Sequence, residues 1–374
     1  MAKANLPQHR DAEALSNLLA TPEITALIAD LEATRWTGRP GYPIRAMVGM
    51  ALVKSLHCLP TWTRTVVLVK DHAGLRAVLG CAPSLDACYR FTAKLRQHHN
   101  RLAECIESVL AALHDEHPAM GEIVAIDGSD LPAYANGQKY LYKNGPERKI
   151  YSDSDASWGH RSAISTRKGG GYYGYKIHAV VDVATELPVA WHVESASIAE
   201  SAQVPTLLDM AALRGFLTSV AILDKGYDLP PIYETCETRG IHPIIPLRET
   251  FAVKAGKDKP PKCEHGPWIF AGSDAKRGAS KWRCPTGECQ PVSTWVKADR
   301  LHTLVPRRTD RWKALYRQRG CVERGFGRLK NEWAMLPLRV RRIERVRLHV
   351  DLTILAQLVT ALAKARAAAV PLAA

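Results

Sequence analysis

The sequence is short of acid. Against 51 Lys and Arg stand 37 Asp and Glu in 374 residues, which leaves a formal charge of +14 and a pI near 9.4. Such a surplus favours a polyanionic partner, most simply nucleic acid; a soluble protein that happens to be basic is the plainer alternative. Long apolar runs are also missing. The longest, VDLTILAQLVTALA (350–363), contains Asp351 and Gln357 and is too short to span a bilayer, so it reads as a buried or amphipathic helix and no membrane partner is expected. The opening MAKANLPQHRDAEALSNLLA has no apolar core flanked by a cleavage site, so no secretion signal is expected. A compact, even cysteine framework is absent as well: nine Cys fit reduced thiols in a cytoplasm. There is no internal repeat and no long low-complexity tract. What is present is 46% apolar residues, ample for real cores. The length predicts two or three domains of roughly 100–200 residues each.

Residues 1–120 read as a helical region. Apolar residues recur at spacings of three and four in AEALSNLLATPEITALIADLEA and in PIRAMVGMALVKSL. Thr21-Pro22 and a turn at Arg39-Pro40-Gly41 punctuate them. APSLDACYRFTAKLRQHH opens on a Pro-Ser helix-start signal and ends basic, which suits either a DNA-contacting module or a plain helical bundle.

From 121 to 249 the pattern becomes α/β. GEIVAIDGSDL is a β-type run that carries Asp127, and the polar stretch 132–171 reads as a long loop. YGYKIHAVVDVAT and LPVAWHVES form a hairpin around a Thr-Glu turn. A helix (ESAQVPTLLDMAALRG), a strand (TSVAILDKG), a helix closed by glycine (LPPIYETCETRG) and a strand (IHPIIPLR) follow. The order β-β-β-α-β-α-β implies a meander and then a right-handed crossover, after which the first and fourth strands can be neighbours. Asp127 lies in the first of these and Asp224 at the end of the fourth. Residues 250–299, rich in Lys, Pro and Gly, read as a β-rich insertion. Residues 300–349 read as a returning helix with a basic segment behind it, and 350–374 as a C-terminal helix.

The chemistry concentrates in YRQRGCVERGFGRLKNEW (316–333), where Glu323 sits among Arg317, Arg319, Arg324, Arg328 and Lys330. On a helix, Tyr316, Arg319, Glu323 and Lys330 fall within roughly 60° of one another. A solvated face with an i,i+4 ion pair is the plain reading of that stripe. Two strand-borne carboxylates and one on a helix are, however, what a two-metal phosphoryl-transfer site needs, with Mg²⁺ ions about 3.5–4 Å apart. The surrounding cations would then hold the phosphate backbone.

The spacing Y-x2-R-x3-E-x6-K in YRQRGCVERGFGRLK resembles the YREK signature of bacterial insertion-sequence transposases of the DDE type. IDGS around Asp127, LDKGYD around Asp224, GYKIHAVVD (174–182) and DSDASWG (153–159) are similar to further segments of that family, over about 121–335. The resemblance implies an RNase-H-like mixed sheet interrupted by the β-rich insertion. It implies Asp127, Asp224 and Glu323 as the catalytic, metal-holding triad for Mg²⁺ or Mn²⁺. It implies DNA contacts by Tyr316, Arg319 and Lys330, with Tyr316 a contact and not a nucleophile. The reaction implied is hydrolysis at the element's ends followed by 3′-OH strand transfer on double-stranded DNA (terminal repeats and target). The enzyme would work as at least a homodimer on the nucleoid of a bacterial cytoplasm. A nuclease without strand transfer and a decayed copy that only binds DNA are the rivals. A glycosidase with paired acids explains neither the charge nor the basic stripe.

Several residues carry two readings. Asp130 and Asp228 compete with Asp127 and Asp224 as ligands, while Asp182 reads as a turn cap. His178 reads as a satisfied core histidine. Arg324, Arg328, Lys176 and Lys225 are further candidate phosphate contacts, solvated lysines being the alternative for the last two. Cys263-x-His265 and Cys284-x4-Cys289 can make one structural Zn²⁺ set or remain free thiols. Trp268, Trp282 and Trp295 either stack on unpaired bases or pack within the insertion. LRVRRIERVRLH (338–349) reads as a backbone contact or a solvated face.

Overall fold

The structure, a computed structural model, describes residues 10–34, 41–161 and 168–369. Arg39 and Pro40 of the expected turn, and part of the 132–171 stretch, lie outside the described residues. The N-terminal part is helical: α1 (Arg10–Leu19), α2 (Pro22–Ala33), α3 (Ile44–Leu56), α4 (Trp62–Asp71), α5 (Ala73–Leu79), α6 (Leu85–Gln97) and α7 (His99–Glu116). Pro22 opens α2, and Ser84 caps α6 by accepting the Ala87 N–H at 3.3 Å, as the helix-start signals require. Helix α3 is apolar nearly all round and is buried from Ala46 to Ser55. A helix of that kind belongs at the centre of a bundle, and α1, α2, α4 and α6 pack around it.

The sheet region follows: β1 (Ile123–Pro132), β2 (Ser157–Arg161), β3 (Gly170–Asp182), β4 (Pro188–Ser195), α8 (Val204–Leu213), β5 (Val220–Ile222), α9 (Pro230–Glu237) and β6 (His242–Ile244). β3 is the axis. Its length along Gly174–Asp182 pairs antiparallel with β1, while its other edge pairs first with β2 and then with β4. β1, β5 and β6 are parallel, so the expected adjacency of the first and fourth strands is present. One strand had no clear signal. SWGHR, inside the stretch read as a loop, adds β2 to the edge of the sheet. Gly174 stands where β1, β2 and β3 meet, and a Cβ there would lie 2.3 Å from the Leu131 carbonyl; only glycine permits that approach. Asp182 is a turn cap: its Oδ2 accepts from the Thr185 N–H and hydroxyl, and its Oδ1 from the Gly121 N–H.

Past the sheet come α10 (Phe251–Lys254) and two small sheets, β7 (Lys262–Cys263) with β8 (Gly266–Pro267), and β9 (Ile269–Asp274), β10 (Ala279–Arg283) and β11 (Ser293–Lys297). The chain then enters α11 (Asp310–Arg317), α12 (Gly320–Asn331) and α13 (Ile343–Ala369). Two expectations need correction. The stripe from Tyr316 to Lys330 does not ride one helix, because the chain makes a turn at Gln318–Arg319 just ahead of Gly320, a residue of low helix propensity. The last helix starts at Ile343 instead of 350, and Asp155 accepts the first N–H of that helix at 3.0 Å. By length and composition α13 is apolar enough to cross a membrane. It is packed against α3, α7 and β4, with Val350 and Thr353–Val359 buried.

Candidate active site

The pairing register explains why two distant aspartates meet. Ala125 of β1 lies opposite Ile222 of β5 in the parallel pair. Asp127 and Asp224 each follow two residues later, beyond the last paired position. Asp224 ends the run by capping a short turn, accepting the Gly226 N–H at 2.5 Å. Helix α12 packs on β1 and β3 and delivers the third acid. Arg319 bridges the two elements: one nitrogen donates to Asp127 Oδ2 at 2.8 Å and another to Glu323 Oε1 at 2.5 Å.

This cluster holds more negative charge than its partner can neutralise. Burial pushes the Asp127 carboxyl up to about 7, against the pull of Arg319 and the Gly128 N–H, and the charges of Asp224 and Glu200 add to the rise. Burial lowers the Arg319 guanidinium, but Asp127, Glu323 and Asp224 raise it further. Tyr227, buried beside Asp127, Glu200 and Asp224, has its phenol held well above the usual range by burial first. Tyr316 stacks on Trp312 at 5.0 Å, and its phenol is raised by burial and by Asp224, Glu323 and Asp127, with Arg319 opposing. Asp127 and Glu323 are joined through Arg319 and not directly; carboxylate oxygens are the ligand type that a hard divalent cation takes.

The competing acids are committed elsewhere. Asp228 is 2% exposed. It receives a fork from Arg300 (2.9 and 2.5 Å), the Tyr233 hydroxyl (2.8 Å) and the Arg248 N–H (2.7 Å). Those donors outweigh the burial that would raise its carboxyl and hold it below the usual range. Asp130 pairs with Arg161 at 3.1 Å and with Lys330, whose ammonium also reaches the Asp130 carbonyl at 2.6 Å. Lys330 therefore anchors α12 to β1.

The other candidates divide. Lys225 is exposed. Lys176 is not a solvated strand-end lysine: it is 8% exposed, with its ammonium 2.6 Å from Glu200. Arg324 and Arg328 both clamp Glu186, in the turn between β3 and β4. His178 corrects the expectation of a satisfied core residue. It is buried, and neither ring nitrogen has a partner. Burial, with help from His192 and Lys176, holds it neutral, down to about 3. Of the arginine run, Arg342 and Arg347 pair with Asp155 and Glu194. Arg339 and Arg341 lie over the Tyr134 ring at 5.2 and 5.1 Å. With Arg345, Arg96 and Lys54 they line a cleft of about 550 Å³ between the helical region and α13. Trp282 packs inside the insertion, donating to Ser280 at 2.9 Å. Trp295 is 40% exposed, with Arg277 over its ring at 4.6 Å. Cys263, His265, Cys284 and Cys289 converge, their ligand atoms all within 4.8 Å of one another.

Sequence reasoning missed Glu200. It lies in a short turn ahead of α8, and it becomes visible only through its contacts: the Lys176 pair, and a Gly128 backbone so close that a Cβ would meet it at 3.1 Å.

The family model for a transposase DDE domain matches residues 118–359, from the entry to β1 into α13. The chain belongs to that family. The protein is thus a DNA transposase, an enzyme that acts on DNA, and enzymes of its family use divalent metal. A comparison with curated proteins returns no match. Among solved structures, the transposase is similar to a cryo-EM structure of the piggyBac transposase synaptic complex with hairpin DNA. The identity is 11%, over 94% of this chain and 74% of that one, at a TM-score of 0.39. A likeness that low decides nothing about the site.

Proposed function

We propose that this transposase mobilises an insertion sequence of the YREK-signature DDE kind, on an RNase-H-like core, in a bacterial cytoplasm. Asp127, Asp224 and Glu323 are its catalytic carboxylates. The observation that carries this reading is the excess of acid around Asp127: one buried carboxylate, the like charges of Asp224 and Glu200 beside it, and Glu323 joined to it through the single Arg319 guanidinium. Mg²⁺ or Mn²⁺ fits a donor set made of carboxylate oxygens alone. Bound there, it supplies Lewis acidity at the scissile phosphate and a nucleophile at neutral pH.

The protein's own groups do the rest. Asp127 and Asp224 hold fixed positions at strand ends, while Glu323, 63% exposed, closes the site from a helix. Arg319 holds Asp127 and Glu323 together and keeps a buried Nε without a partner, a donor left over for an anionic oxygen. Tyr316 and Lys225 flank the acids as DNA contacts, and Lys330 positions α12. Arg324 and Arg328 reach phosphate on leaving Glu186. Arg339, Arg341 and Arg345 extend the basic surface along the cleft, so affinity for double-stranded DNA falls steeply with salt. Residues 1–120 and 250–299 flank this core as a helical region and an insertion. Terminal cleavage is followed by 3′-OH strand transfer, with two copies of the chain joining two ends.

The test is cleavage of the DNA that flanks the gene, by wild type and Glu323→Gln, with Mg²⁺ or with EDTA. Metal-dependent nicking at the element ends by wild type alone, with binding kept in the variant, supports the triad. A variant that cuts as well as wild type removes Glu323 from it. Nicked but never joined products favour a nuclease without strand transfer; binding without cutting under any metal favours a decayed copy.

A further inference from the structure

We propose that the insertion carries a structural zinc ion held by Cys263, His265, Cys284 and Cys289. The four come from separate pieces of chain: β7, the β7–β8 turn, the residue after β10, and the loop before β11. Measured from His265 Nδ1, the sulfurs of Cys289, Cys284 and Cys263 lie at 3.4, 3.7 and 4.0 Å, and the Cys263 and Cys284 sulfurs are 3.8 Å apart. A tetrahedral zinc with its usual bond lengths sets two thiolates about 3.8 Å apart and a thiolate and an imidazole nitrogen about 3.6 Å apart. The sulfurs are too far apart for a disulfide, and three thiolates with one imidazole favour zinc over the hard ions that carboxylates take.

Two further observations point the same way. Each of the three sulfurs approaches the ring at Nδ1, while the other ring nitrogen, Nε2, lies 3.1 Å from Glu288 Oε2. A histidine ligand typically donates its free N–H to a carboxylate in this way, which fixes the tautomer and the ring. The insertion also lacks a core of its own. From 250 to 299 only Ala279, Ser280, Trp282 and Cys284 are buried. A unit that small needs a metal or a covalent staple to hold a fold. Zinc at this position ties the β7–β8 hairpin to the three-stranded sheet and fixes the face that presents Trp295, Arg277 and Lys281. It does not rest on the transposition reading, because metal content is read without DNA.

The experiment is metal analysis of the full-length protein from zinc-supplemented cells, followed by cobalt exchange. The expected result is about one zinc per chain, released when a mercurial titrates the thiols. Cobalt should give the visible bands of a tetrahedral thiolate site. The double change Cys284→Ser, Cys289→Ser should lose the metal, while Cys81→Ser keeps it. Glu288→Gln should weaken zinc about 10–100-fold in chelator competition without changing the stoichiometry. This variant keeps the proposal testable if the double variant does not fold. Folded wild type with no stoichiometric zinc, or full zinc in the double variant, overturns it.

Discussion

Two acid-and-arginine clusters lie four residues apart in the chain, and they differ in whether the accounts of charge close. At Asp127 and Asp224 three carboxylates share one guanidinium, and burial lifts a proton affinity to near neutrality. At Asp228 one carboxylate meets a guanidinium fork, a phenol and a backbone N–H, and its affinity for the proton falls. Both are near the head of β5. A satisfied acid serves the fold, because taking its charge away leaves donors stranded. An acid in excess costs stability and is suited to binding a cation.

That contrast makes its sharpest prediction with one substitution on each side. Asp224→Asn should lower end cleavage by a thousandfold or more, about 4 kcal/mol of barrier, while the thermal midpoint holds or rises. Asp228→Asn should instead lower stability by about 3–5 kcal/mol, by leaving Arg300 without its counter-charge. Paired cleavage and melting curves decide, and an Asp228 variant that melts like wild type breaks the comparison.

Next in size is the effect of His178, a titratable group with no partner. Its folded affinity for the proton, near 3, lies below the ordinary 6.5. The unfolded chain therefore takes up a proton that the fold refuses, and stability falls as pH drops from 6.5 toward 3. At pH 5 this share amounts to about 2 kcal/mol. His178→Phe should remove it and leave stability at pH 8 little changed. Denaturant melts at both pH values test this; equal acid slopes in the two proteins would count against it.

The smallest effect belongs to Glu186, whose two arginines stand at the surface. Burial raises its carboxyl and the arginines more than reverse that. Arg324 is 61% exposed, so the pair is screened and Glu186→Gln should cost under about 1 kcal/mol. Releasing Arg324 and Arg328 should tighten DNA binding at low salt. Weaker binding, measured by anisotropy, would show the clamp to be needed for the DNA face.

Much of the placement of the candidate acids was legible because apolar strand runs that end in aspartate are strong local signals. Strand order then follows from connection rules, and Asp127 and Asp224 become neighbours without any measured distance. Other features have no local signature. β2 hides in a glycine- and serine-rich stretch whose partner is Gly170–Gly174. The break before Gly320 is masked, because the spacing from Tyr316 to Lys330 also suits an unbroken helix. Arginines at 341, 342, 345 and 347 cover the start of α13. Spacing alone left the cysteines and His265 ambiguous, because their meeting depends on how two small sheets pack.

The Asp228 cluster has one more consequence. Arg248 enters the insertion and Arg300 leaves it, and both are held by the same carboxylate. Arg307, bonded to Tyr233 and to the carbonyls of Ile245, Leu301 and Arg300, seals the junction. The two ends of residues 249–299 are thus already joined in space before the segment itself is considered. A longer or shorter segment between those ends would therefore cost the sheet little entropy, because the closure is already made by contacts outside it.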